Sequence, residues 1–279
     1  MRSSAQRMRG RAPLRAGSGP RSVAYAGPIM VEQAGTPILA FFDVDNTLIH
    51  GASVFHLVRG LRAAGLLTTR DIVSAGWKHA RFKARGENDR HLASARARGL
   101  EVVTGVTVAD MARLADEIYE RHTAPMVWPE TLGLAQEHLA KGHQVWLVTA
   151  SPSFLADVIA RRLGLTGALG SALEVRDGAY TGRLDGEFLH GAHKAAAARG
   201  LLARTGADAR ECWAYSDSRH DIPLLTLVGH PVVVNPDQAL AAHARGSGWP
   251  SMRLRRQSIR DARRRVRREA AQTDGSAGR

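Results

Sequence analysis

The sequence predicts an α/β fold built on a buried parallel sheet. Three observations carry that prediction. Short, largely apolar runs recur at residues 38–42, 144–148 and 212–215, as strands covered on both faces do. Each run is followed by a loop of acidic or hydroxyl side chains and then a helical stretch, the alternation of an α/β protein. The first run ends in Asp43-Val44-Asp45, which sets two carboxylates at the carboxyl edge of the sheet, where open α/β folds bind ligands.

Taken in order, Phe41-Phe42-Asp43-Val44-Asp45-Asn46-Thr47-Leu48 is the most informative stretch. Carboxylates so close in sequence repel and are costly to desolvate. A cation is therefore expected beside them, and a hard divalent ion such as Mg²⁺ suits oxygen ligands. The second run leads into Thr149-Ala150-Ser151-Pro152. Lys194 opens an Ala-rich helical run over 195–203. The third run leads into Ser216-Asp217-Ser218-Arg219-His220-Asp221 and then the helical Ile222-Pro223-Leu224-Leu225. Between Thr149 and Lys194, residues 173–184 alternate about Asp177-Gly178, a strong hairpin signal.

About 100 residues separate Thr47 from Thr149, too many for a simple crossover. They read as helices over 53–64, 69–85, 88–98 and 107–122, with capped starts at Thr69 before Asp71 and Thr107 before Asp110. Pro129 then begins a further helix, 130–141, with Gly142 as its stop. The expected organisation is a core of residues 37–50 and 126–250, with an all-helical cap of residues 51–125 inserted into it.

Asp43-Val44-Asp45-Asn46-Thr47 resembles the first motif of haloacid-dehalogenase-superfamily phosphatases. Thr149, Lys194 and the loop Asp217–Asp221 follow in the order of the remaining motifs. Lys194 precedes Asp217 by 23 residues, as in relatives of phosphoserine phosphatase, and these proteins carry a similar hairpin and a helical cap. Alone, a strand-end Asp pair is usually a turn or cap, and a lone helical Lys is usually solvated. Four motifs in order, spanning residues 38–250, outweigh those readings.

The resemblance implies a Rossmann-like three-layer core and a Mg²⁺-dependent phosphomonoester hydrolase acting on a small phosphorylated metabolite. Asp43 would be the nucleophile, forming an aspartyl-phosphate. Asp45 would be the acid that protonates the leaving alkoxide and then the base that activates water; it would also lend its backbone carbonyl to the metal. Asp43 and Asp217 would be the carboxylate ligands of Mg²⁺. Asp221 would support them by orienting metal-bound water or Lys194. Thr149, the backbone of Ala150, Lys194 and His220 would hold the phosphoryl group. Superfamily members that keep a long-lived aspartyl-phosphate usually carry Thr at position 45, so Asp45 favours hydrolysis or a phosphomutase. Two positions depart from phosphoserine phosphatases. Ala52 stands where they usually have a Glu that holds the substrate amino group, and His220 where they tend to have Asn. Both departures disfavour phosphoserine. Lys78, Arg81 and Arg85 share one helix face by spacing and are candidates to meet an acidic substrate group.

The formal net charge of +13 over 279 residues is confined to the ends. Residues 1–36 carry six Arg and one acid, residues 251–279 ten Arg and three acids, and the remainder nets only +1. The leader lacks the apolar stretch of a secretory signal or membrane span and reads as disordered, with Met30 as a candidate start. The Arg-rich tail reads as a solvated extension or lone helix that contacts an anionic surface at most, with no specific nucleic acid expected. It lacks interleaved aromatics and a sustained apolar face. A single cysteine, Cys212, excludes an internal disulfide and fits a reducing cytoplasm. Two alternatives remain at this stage: a phosphotransferase or mutase using the same intermediate, and a non-enzymatic binder of nucleic acid or membrane surface.

Overall fold

The computed structural model describes residues 35–67 and 103–276. The expected helices at 69–85 and 88–98, with Lys78, Arg81 and Arg85, lie outside the described residues, as does the leader up to residue 34.

Strand β1 (Leu39–Phe42) is buried along its whole length. Its side chains alternate between two cores: Ala40 and Phe42 join one, Leu39 and Phe41 the other. That split is the period-2 rule acting on a strand covered on both faces. β1 is flanked by β2 (Gln144–Pro152) and β6 (Trp213–Ser216). The sheet is completed by β3 (Gly167–Ser171), β7 (His230–Val234) and β8 (Ser251–Met252), in the order β3-β2-β1-β6-β7-β8, with every pair parallel. Helix α4 (Ser153–Arg162) covers one face through Leu155 and Ile159. Helices α5 (Ala192–Thr205), α6 (Ile222–Leu227) and α7 (Gln238–Ser247) cover the other through Leu202, Leu224 and Leu240. This is the expected three-layer α/β core. Strand β2 runs past the expected end at residue 148, so Thr149 and Ser151 lie within it.

Outside the sheet, the hairpin of β4 (Leu173–Arg176) and β5 (Ala179–Leu184) turns at Asp177 and Gly178, whose φ values are 50° and 77°. Two consecutive left-handed residues make the tight turn that suits strand twist.

Of the insert, α1 (Ser53–Ala63) and α2 (Val108–Ile118) are described. Thr107 caps α2 as expected, its hydroxyl accepting from Asp110 N at 3.0 Å. The α-helix ends four residues before the expected limit, and residues Tyr119–Thr123 widen into a π-helical turn. A Cβ built on Gly60 of α1 would lie 2.1 Å from Ile118 Cγ1, so only glycine permits this approach. α3 (Pro129–Ala140) follows with Pro at its first position.

The Arg-rich tail departs from a solvated extension. Ser251–Met252 pairs with β7, and α8 (Arg256–Ser276) starts against the core. Ile259 is buried. Arg263 Nε donates to Pro125 O at 2.8 Å, and Arg256 Nε to His50 Nε2 at 2.5 Å. One apolar anchor and two directed guanidinium bonds fix the helix, so no continuous apolar face is needed. Among the described residues, no helix is long and apolar enough to cross a membrane.

Candidate active site

The carboxyl edge of the sheet gathers side chains from three adjacent strands. Phe42 is in register with Leu147 on one side and Tyr215 on the other. Asp43 lies one residue past Phe42, Thr149 two past Leu147 and Asp217 two past Tyr215, so the three converge at one edge. The amide of Asp43 continues the ladder by donating to Tyr215 O at 2.9 Å.

Lys194 enters from the first turn of α5, which begins at Gly191 with φ 57°. Lys194 is 4% exposed, and its ammonium donates to Asp43 Oδ1 at 2.5 Å and to Asp221 Oδ2 at 2.8 Å. Ser216 Oγ, at the end of β6, donates to the same Asp221 oxygen at 2.7 Å. Asp221 therefore locks Lys194 while Lys194 faces Asp43. Burial opposes the ammonium, but Asp43 and Asp221 outweigh it and hold Lys194 above its ordinary range. Lys194 keeps its proton.

Among the described residues, burial and like charge raise the pKa of two of these acids. Burial pushes Asp43 well above the usual carboxylate range; Lys194 counters it, and Asp221, Asp217 and Asp45 push it further up. Asp217 is pushed up to about 7, first by burial, with Asp221 and Asp45 adding to it. One lysine does not neutralise this cluster, and its donors are hard oxygens, which is the chemistry a divalent cation such as Mg²⁺ satisfies. Among the described residues, no three His, Cys, Asp or Glu side chains form a metal-holding group. The residues that would hold such a cation are the Asp43 and Asp217 carboxylates and the Asp45 carbonyl, the ligands the family resemblance implies.

Asp45 carries a second duty. Ala52, which precedes α1, offers no side-chain cap. Asp45 Oδ1 instead accepts from Ser53 N at 2.8 Å, joining the positive end of α1 to the site. Ser53 is fully buried, and its hydroxyl pairs with that of Ser151 across the site. The Ser151 amide in turn donates to Thr149 Oγ1 at 3.1 Å. Ala150 is fixed through its carbonyl, which accepts from Ser171 Oγ at 2.9 Å.

The structure thus ties Asp43, Lys194 and Asp221 together directly, with Thr149 and Asp217 at the same edge. His220 sits apart from that hydrogen-bonded set, its ring 4.7 Å from that of His190, centroid to centroid. Ser53, Ser151 and Ser216 escape sequence reasoning because buried serines carry no local signature. Asn46 was visible only as a motif letter. Its side chain hydrogen-bonds to Asp217 and accepts from Gly51 N at 3.0 Å.

Comparison with known proteins gives a consistent result. Residues 40–226 match the family model described as haloacid dehalogenase-like hydrolase. The chain is 47% identical over 231 residues to a Mycobacterium tuberculosis protein named phosphoserine phosphatase SerB1, covering 82% of this chain and 75% of that one. It is 29% identical over 227 residues to a protein named histidinol-phosphatase from Neisseria meningitidis, covering 78% of this chain and 99% of that one. A crystal structure of a protein with unknown function from Bordetella pertussis superposes with a TM-score of 0.70 at 28% identity, covering 78% of this chain and 99% of the other.

Proposed function

The chain belongs to the haloacid dehalogenase-like hydrolases and is a phosphatase of that family, and from that premise we propose that it hydrolyses the phosphomonoester of a small metabolite through a phosphorylated Asp43. The convergence of Asp43, Lys194 and Asp221 carries this reading. A buried carboxylate paired to a cation is positioned to attack phosphorus, and the cation neutralises charge as attack proceeds.

In the first step, Asp43 forms an Oδ–P bond and the ester P–O bond breaks. Asp45 delivers its proton to the departing alkoxide, which leaves as the alcohol. In the second step, Asp45, now a carboxylate, takes a proton from water. The water oxygen attacks phosphorus, the Asp43–phosphorus bond breaks, and inorganic phosphate leaves. Thr149 and the amide of Ala150 bind the phosphoryl oxygens and Lys194 offsets their charge. His220, expected to contact the phosphoryl group, has its ring beside that of His190 and is not needed for either step. Asp43, Asp217 and the Asp45 carbonyl would hold Mg²⁺, with Asp221 in support, and the ion would supply further charge neutralisation. By the family resemblance, the inserted segment would serve as the cap that excludes water and selects the alcohol.

Two relatives are named for phosphoserine and for histidinol phosphate, which supports a small soluble phosphometabolite. Ala52 offers no carboxylate to a substrate ammonium, which counts against phosphoserine. A cytoplasmic setting fits the single buried thiol, Cys212. Release of inorganic phosphate across a panel of small phosphometabolites, phosphoserine and histidinol phosphate included, tests the reading. The parent protein is expected to turn over a member of the panel and Asp43→Asn none. Parent-like turnover by Asp43→Asn would contradict the nucleophile, and transfer to an acceptor without phosphate release would convert the enzyme into a phosphotransferase.

A further inference from the structure

We propose that the loop Asn235-Pro236-Asp237, which lies beyond the residues matched by the family model, is a two-pronged clasp that sets the spacing of the two acidic loops, and that the C-terminal strand completes it. The inference rests on the Mg²⁺-dependent reading above and makes Asn235 and Asp237 positioning residues.

The first prong reaches the nucleophile loop. Asn235 Nδ2 donates to Asn46 O at 3.0 Å across 189 residues of sequence. Asn46 has φ 57° and Asn235 φ 46°; both are left-handed positions that Asn tolerates better than most residues. Asn46 N donates to Gly51 O at 3.1 Å. The peptide groups on both sides of the Asn46 Cα are therefore pinned. The Asp45 carbonyl shares one planar trans peptide with the Asn46 N–H. Aiming that N–H at Gly51 aims the carbonyl the opposite way.

The second prong reaches the other acidic loop. Asp237 N donates to Asp217 O at 2.9 Å. Asp237 Oδ2 accepts from Arg219 N at 2.8 Å, while Oδ1 caps α7 by accepting from Leu240 N at 2.8 Å. The residue between the prongs is Pro236, whose ring fixes φ and holds the two at constant separation. The clasp is anchored from behind. Asn235 Oδ1 accepts from Leu254 N at 2.7 Å, and Asn235 N donates to Met252 O at 2.9 Å. β8 and the residues after it thus brace the loop that braces the site.

A residue that only stabilises the fold lowers the melting temperature and leaves the metal affinity of folded protein unchanged. Partners that orient metal ligands change the affinity itself, typically by about 10–100-fold. The test compares the full-length parent with Asn235→Asp and Asp237→Ser. The first keeps the acceptor for Leu254 but turns an oxygen toward the Asn46 carbonyl. The second keeps a hydroxyl to cap α7 but withdraws from Arg219. Mg²⁺ binding is measured by titration calorimetry without substrate, alongside melting temperature in EDTA and kcat and KM on a phosphate ester. The expected result is a Mg²⁺ Kd weakened about tenfold or more by Asn235→Asp, with kcat falling further than KM rises. Unchanged Kd in both variants, even with a lowered melting temperature, overturns the clasp. If Asn235→Asp does not fold, Asn235→Gly, which accepts the left-handed backbone, carries the same expectation. A parent that takes up no Mg²⁺ sinks the metal reading itself and the clasp with it. A parent that binds Mg²⁺ while both variants bind equally well sinks the clasp alone.

Discussion

Replacing Lys194 by Met removes the one cation that, among the described residues, touches both Asp43 and Asp221, while keeping most of the side chain's volume. All three groups are buried: Lys194 and Asp43 are each 4% exposed and Asp221 is 1% exposed. Two unit charges ~4 Å apart interact by about 4 kcal/mol at an effective dielectric near ~20. Lys194 makes two such contacts, at 2.5 and 2.8 Å, but its own desolvation offsets part of the gain. Removing one partner of a buried pair costs about 3–5 kcal/mol, because the carboxylates left behind are uncompensated. At about 2–4 °C per kcal/mol for a domain near this size, melting in EDTA at neutral pH is expected to fall by about 6–20 °C. The direction with pH is fixed as well. Without Lys194 the acids relieve the strain by taking up protons, so the gap between parent and variant closes as pH falls. Phosphatase kcat is expected to drop by about 10²-fold or more, the scale for losing one preorganised charge contact. Equal melting temperatures in EDTA, or a gap that widens in acid, would refute the electrostatic reasoning.

Four further outcomes are expected. His138 is 5% exposed, with Nε2 2.8 Å from Tyr215 Oη and Nδ1 2.9 Å from His143 Nδ1; burial, with His143 and Lys141, pushes its pKa down to about 4. Its contribution is full above about pH 6.5, the unfolded value, and falls by at most about 3 kcal/mol as pH drops to 4. Asp217, raised to about 7, tilts the metal-free protein the other way, so the test is the parent minus His138→Gln by denaturant unfolding; a difference independent of pH contradicts it. Mg²⁺ at about 100 times its Kd is expected to raise stability by about 2.7 kcal/mol over EDTA, and calorimetric melts that superpose would count against a metal site. Gly60→Val is expected to cost about 1–3 kcal/mol by driving side-chain atoms into Ile118, read from urea midpoints. Thr107→Ala is expected to cost about 1 kcal/mol through the lost cap on α2, and a neutral effect in the same assay would show that this turn is not held by its cap.

Much of the site was legible because its chemistry is written locally. Asp43 and Asp217 each follow a short buried strand, Thr149 lies in the carboxyl half of β2, and Lys194 opens a helix, so position along the strands brings them to one edge. The turn at Asp177-Gly178 and the cap at Thr107 were legible for the same reason, since both bonds close within a few residues. Other features were not. The bond from Asn235 to Asn46 depends on the register of β7 beside β6 and leaves no trace in the residues around either partner. The widening at Tyr119–Thr123, where Tyr119 and Thr123 are buried, carries no local sequence signal. α8 looked solvated because arginines dominate it, and its fixation rests on the burial of Ile259 and on Arg256 and Arg263, whose hydrogen-bond partners lie far back in the chain. Local sequence specifies elements and charges, while long-range register decides which charges are held.

Rapid acid quench of the protein during turnover of a small phosphate ester, followed by peptide mass mapping, tests the central claim most directly. A phosphoryl group on the peptide containing Asp43, absent from Asp43→Asn, is the predicted result. A working phosphatase that carries covalent phosphate elsewhere, or never carries any under conditions that preserve acyl-phosphates, would contradict it.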